Sequence, residues 1–179
     1  MDDTDLKDDW RQYYFQRLTI ALDDLLHCEK YISKFIEISK TNDDVLLEAL
    51  YVAIVATYDR VFNTSKTASH TDHHVKVCDR FSRVVNGSIK SKSGELEKLH
   101  ERLRVIRDKE VAHSDGTERA YNLISNGKVP FGRKTLVPFD VNEAKQLLEI
   151  VQDLIIVIGT KQSEIRGAID SEYWDSQNG

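Results

Sequence analysis

Apolar residues recur at three- and four-residue intervals along most of this chain. The first such run, Leu6, Trp10, Tyr14, Leu18, Ala21, Leu22, Leu25, Cys28, Ile32, Phe35 and Ile36, has no Gly or Pro inside it. It predicts one long helix, or two collinear ones, from Leu6 to Ile38. Thr41-Asn42-Asp43-Asp44 is a stop and restart, with Thr41 placed to cap the next helix and Asp43 and Asp44 in its first turn. That second helix runs through Leu46, Leu47, Leu50, Ile54 and Tyr58 to about Phe62. Its apolar residues cover much of the circumference, which predicts the central buried helix.

Asn63 to Asp72 is rich in Ser and Thr without periodicity and is expected to be a loop. Val75 to Val85 predicts a short helix ended by Asn86-Gly87, and Leu96, Leu99, Leu103 and Ile106 predict a helix from Gly94 to about Ala112. Ser114 to Phe139 holds both prolines, Pro130 and Pro138, and three glycines, so it is expected to be irregular. Within it, Asn126-Gly127 suits the turn of a small hairpin over Leu123 to Val129. Asp140-Val141-Asn142-Glu143 is a capping box opening the last helix, which is expected to reach about Ile169, with a frayed tail over 171–179. The fold class that follows is all-α: one domain over 1–179, a bundle of four to five helices with a long irregular segment before the last.

Composition narrows the function classes. A formal net charge of -5 argues against a protein that grips nucleic acid over its whole surface, so any such contact must be a small positive groove on an acidic body. Cys28 and Cys78 are too few for a disulfide framework and are expected to be buried free thiols in a reducing compartment. The opening Met1-Asp2-Asp3-Thr4-Asp5 is acidic where a signal peptide is basic. The most apolar stretch, Leu147 to Ile158, is interrupted by Glu149, Gln152 and Asp153 and is too short to cross a bilayer. A cytoplasmic protein without a membrane partner is therefore expected.

Candidate chemistry concentrates at the end of the fourth predicted helix. His113 lies seven residues beyond Ile106 and fourteen beyond Leu99, extending their apolar line, and Arg107 lies four beyond Leu103 on its flank. Such groups are costly to bury unpaired, so they must find partners or face a shared cleft. Six residues apart, they are about a third of a turn out of phase. They converge only if the helix end distorts or a second copy supplies the missing half. A structural role is the alternative, since cations near a helix C-terminus favour its dipole and cap its carbonyls.

Arg107-Asp108-Lys109-Glu110-Val111-Ala112-His113 resembles the signature of the HEPN superfamily, an Arg and a His separated by four to six residues, often with a polar residue after the Arg. Ala112-His113-Ser114-Asp115 is similar to the abortive-infection branch of that superfamily. The resemblance implies a homodimeric, metal-independent endoribonuclease that uses no cofactor, with two copies of the motif facing each other. Its setting would be a bacterial defence or toxin–antitoxin system, with an antitoxin or defence-system partner. His113 would be the acid/base and Arg107 the phosphate stabiliser, with Asp108 orienting either, and cleavage would leave 2′,3′-cyclic phosphate and 5′-OH ends. Arg104 and Lys109 would contact flanking phosphates of the RNA, although Arg104 and Asp108, four apart, can also simply pair. Some HEPN toxins carry a Tyr two residues after the His as a nucleotidyltransferase target; Asp115 stands there instead.

Other candidates compete. A non-catalytic helical module binding RNA, a nucleotide or a protein partner fits the same residues. His70-Thr71-Asp72-His73-His74 offers three imidazoles in five residues but completes no recognised metal spacing, so a solvated loop is favoured and no metal site is assigned. Trp10, Tyr13, Tyr14 and Phe15 are of a type that stacks bases, but at these spacings core or dimer contacts are favoured. Tyr58-Asp59-Arg60 falls at the end of the second helix, where it is within reach of the cleft.

Overall fold

The computed structural model describes residues 10–41, 43–63, 72–107, 121–125, 130–134 and 140–178. Five helices carry the fold: α1 (Trp10–Ile38), α2 (Asp44–Phe62), α3 (Asp72–Lys90), α4 (Gly94–Ile106) and α5 (Val141–Asn178). Between α4 and α5 lies an antiparallel pair, β1 (Tyr121–Ser125) and β2 (Pro130–Lys134), in the register Tyr121↔Lys134 to Ser125↔Pro130. The all-helical bundle with a long segment before its last helix is thus present, and so is the small hairpin. The Asn126-Gly127 turn itself lies outside the described residues.

The apolar line of α1 is buried along its whole length, through Tyr14, Leu18, Ala21, Leu25, Cys28, Ile32, Phe35 and Ile38. This stripe makes α1 the hub: it packs most extensively against α5 and α2 and also against α3. The central helix is therefore α1 and not α2, whose Val45 and Leu46 are exposed. Hydrophobicity around a helix does not decide its centrality; a stripe long enough to serve three neighbours does. Antiparallel α5 completes the core with Ala144, Leu147, Ile150, Val151, Leu154 and Ile158. Gln152 reaches Glu29 at 2.9 Å and Gln162 reaches Thr19 at 2.7 Å along the α1–α5 seam.

The capping box forms in both halves, with the Glu143 amide donating to Asp140 Oδ1 at 2.8 Å and the Asp140 amide donating to Glu143 Oε2 at 3.2 Å. At the start of α2 the cap is Asp43, whose carboxylate accepts from the Leu46 amide at 3.1 Å. Thr41 turns the other way, donating to the Ile38 carbonyl at 2.8 Å, so it finishes α1. Arg17 of α1 closes the far end of α2: its guanidinium donates to the carbonyls of Val61 at 2.8 Å and Asn63 at 3.1 Å and lies 4.4 Å from the centre of the Phe81 ring of α3.

Two boundaries differ from expectation for identifiable reasons. Helix α3 runs past Asn86-Gly87 to Lys90, because Val77, Phe81, Val85 and Ile89 form an unbroken four-residue apolar line. Burying Ile89 is worth about 1.5–3 kcal/mol, which exceeds the roughly 1 kcal/mol that a mid-helix Gly costs. Helix α5 continues through the expected frayed tail to Asn178, and no Gly or Pro falls between Ala168 and Asn178 to end it. Cys28 is buried as expected, whereas Cys78 is half-buried beside the α3 apolar line.

A Cβ added at Gly87 meets nothing within 4 Å. Gly87→Ala is accordingly expected to stabilise the protein by about 0.5–1 kcal/mol through backbone entropy and helix propensity. A urea titration with no upward shift of the midpoint would contradict a continuous α3.

Candidate functional site

The end of α4 packs against α2, and the contact is built on charge. Asp59 of α2, four residues beyond Val55 on that helix's buried side, is 2% exposed. Its Oδ2 lies 3.2 Å from Arg107 Nε and its Oδ1 lies 3.8 Å from Arg104 Nε. The Asn63 amide donates to Oδ2 at 2.5 Å. A buried carboxylate needs such partners, because an unmatched one is strongly disfavoured away from water. Both guanidiniums remain in touch with solvent, Arg107 about one-third and Arg104 about one-half exposed. Helical backbone extends to Arg107, whose amide donates to the carbonyls of Leu103 and Arg104.

One turn earlier on α4 sits a second polar element. His100, flanked by Leu96 and Leu103 on the buried face, is hydrogen-bonded through Nδ1 to the hydroxyl of Tyr58 at 2.8 Å. The imidazole also packs edge-on against Phe62, with ring centres 4.5 Å apart. Burial, reinforced by the Arg104 charge, pushes the His100 pKa down to about 4, and burial holds the Tyr58 phenol well above its usual range. Both groups are neutral at physiological pH. Arg104 lies 5.9 Å from the Phe62 ring centre, so its guanidinium meets that ring as well as Asp59.

Beside His100 a cleft of about 460 Å³ opens between α3 and α4, lined by Ile89 and Lys90 on one wall and Glu101, Arg104 and Val105 on the other. Of the residues singled out from sequence, the structure brings Arg104 and Arg107 together on Asp59, and Arg104 lines the cleft. Asp108, Lys109 and His113 lie outside the described residues, as do the side chains of the His70–His74 cluster. Among the described residues no group of His, Cys, Asp or Glu is arranged to hold a metal ion, and no helix is long and apolar enough to cross a membrane. The aromatic cluster of α1 divides: Tyr14 is buried, Tyr13 is exposed, and Trp10 stacks on Arg80 of α3 at 4.0 Å.

The residues that pattern reasoning underweighted are Asp59 and His100. Each is polar on an otherwise apolar helix face, and that position is itself the signal, since only a tertiary partner makes it tolerable. Comparison with protein-family models, curated proteins and solved structures returns no match.

Because His100 is neutral when folded and ionises near pH 6.5 when unfolded, the unfolded chain binds the extra proton first. Its contribution to stability is complete above about pH 6.5 and declines as pH falls towards about 4. Urea midpoints measured at pH 7 and pH 4.5 should therefore fall further for the wild type than for His100→Asn, which has no such proton to bind. Equal falls would remove the buried neutral imidazole from the account.

Proposed function

We propose that this chain is a metal-independent endoribonuclease effector of a bacterial defence or toxin–antitoxin system, acting as a homodimer without a cofactor. The observation that carries the reading is the pair of arginines gathered on Asp59 at the end of α4, with Arg107 six residues before His113. Arg107 holds the scissile phosphate through its planar fork and compensates the charge that builds on it. His113 takes the proton from the ribose 2′-OH as the 2′-oxygen attacks phosphorus, or returns one to the 5′-oxygen as the P–O5′ bond breaks. The products are a 2′,3′-cyclic phosphate and a 5′-OH. Asp108 orients the pair, and Arg104 and Lys109 meet neighbouring phosphates.

A second reading is favoured by one fact: Arg107 already faces a buried carboxylate, so the arginines have a structural duty that requires no catalysis. The chain would then be a helical module that holds RNA, a nucleotide or a protein partner in the cleft.

The wild type is expected to cleave RNA in EDTA and to leave cyclic phosphate ends, and His113→Ala to slow this by about 10²-fold or more with folding intact. Arg107→Ala alone is ambiguous, since it removes the closer of the two arginines from buried Asp59 and should cost about 1–3 kcal/mol. Paired with Asp59→Ala it should regain much of that stability while cleavage stays absent. Wild-type protein that binds RNA without cutting it would leave the binding module standing and end the nuclease reading.

A further inference from the structure

Three clefts follow one another along α3 and share their walls. The first, about 360 Å³, lies between α3, α1 and α5 and is lined by Arg80, Arg83, Tyr14 and Lys161. The second, about 600 Å³, takes Arg83 from the first and continues past Asn86 to Lys90. The third is the 460 Å³ cleft that contains Asn86, Lys90, His100 and Arg104. Shared residues make them one furrow. Arg80, Arg83 and Lys90 recur at helical spacing on the exposed side of α3, and the furrow's last cation, Arg104, belongs to the Asp59 cluster.

We propose that this furrow binds the phosphate backbone of a single RNA strand and leads it to the arginines at the end of α4. The proposal deepens the nuclease reading and rests on it for the identity of the polyanion. Arg80 to Lys90 is ten residues, or about 15 Å of helix, enough for roughly four stacked nucleotides at 3.4 Å each. Three cations stand along that length, Arg80 and Arg83 three residues apart and Lys90 seven residues further on. At the far end the planar Arg80–Trp10 stack, 4.0 Å apart, offers an aromatic and cationic platform of the kind on which bases pack. A narrow basic track along one helix suits a strand, whereas a membrane surface calls for a broad basic face.

Acidic residues set the strand's position within the furrow. Glu164 is paired with Lys161 at 2.5 Å. Glu97 and Glu101 stand on the α4 wall of the third cleft, so a phosphate there is held against the α3 wall until it reaches Arg104. Asp79 lines the second cleft, while Arg83 Nε donates to the Asp79 carbonyl at 3.3 Å. Glu101 in particular lowers affinity at the mouth of the site, and its neutral replacement tightens binding.

The test is binding of a fluorescent 12-nucleotide single-stranded RNA to His113→Ala protein, titrated against salt. Arg83→Ala/Lys90→Ala should weaken binding about tenfold at low salt and reduce the slope of log K against log salt by about 1.4, or 0.7 per lost phosphate contact. Glu101→Gln should tighten it two- to fivefold. Arg83, Lys90 and Glu101 are all exposed, and unchanged helical circular dichroism confirms each fold. Unchanged affinity and slope in the double variant overturns the furrow, as does poly-glutamate competing as well as RNA. The two proposals separate cleanly. His113-dependent cleavage with no effect of Arg83 and Lys90 on RNA binding sinks the furrow alone, whereas furrow-dependent binding with no cleavage by wild type sinks the nuclease alone.

Discussion

A carboxylate in the interior of a helical bundle constrains everything packed near it. Asp59 is enclosed by α2 and α4, and its charge is tolerable because Arg107 and Arg104 approach from α4 and Asn63 approaches from the end of its own helix. Such a cluster contributes little net stability compared with well-packed apolar side chains, but it discriminates strongly between registers. Sliding α4 by one turn along α2 would strand the carboxylate and drive His100 away from Tyr58 at the same time. The position of the α4 end follows from these two polar contacts. The apolar core alone would permit several nearly equivalent alignments of Leu96, Leu99 and Leu103.

What could be seen in the sequence, and what could not, divides along the range of the interaction involved. The α1 stripe and the Asp140–Glu143 box are local patterns, and both form as their spacing requires. Thr41 and Asp43 are both good N-caps two residues apart, and the choice between them turned on the Thr41 hydroxyl reaching back to Ile38. At Asn86-Gly87 a local stop signal lost to the burial of Ile89, a tertiary gain that a turn-propensity argument does not weigh. The ion pairs of the Asp59 cluster are tertiary. Arg104 and Arg107 stand 45 and 48 positions from Asp59 in the chain, and only the packing of α2 on α4 unites them. An acidic residue on an apolar face announces that a partner exists without saying which.

Charge placement links the fold to the proposed chemistry. The chain is acidic overall, yet the exposed side of α3 carries Arg80, Arg83 and Lys90, and the end of α4 adds Arg104 and Arg107. An acidic body repels a polyanion at distance, so in the proposed reading contact would concentrate on this basic track. Under the proposed function it would also keep RNA binding weak and sensitive to salt, which suits an effector that must not seize every transcript it meets. The acidic wall at Glu97 and Glu101 refines this further, because it lies beside the last step before Arg104.

In the proposed nuclease Arg107 would stand between two anions, the permanent Asp59 and a transient phosphate. Asp59 holds the guanidinium in place from the protein interior, and about a third of the side chain still faces water, where a phosphate would arrive. A guanidinium with five donors in a rigid plane can serve a carboxylate on one edge and a phosphate on another, which a lysine ammonium cannot do with equal geometry. Preorganisation by a buried carboxylate has a definite consequence: the cation does not have to be drawn out of solution when substrate binds, so less of the binding energy is lost to ordering it. The same carboxylate also screens part of the positive charge and so lowers the pull on a bound phosphate in its ground state. In the proposed nuclease the device would therefore favour positioning over tight binding, the balance that a reaction developing charge requires.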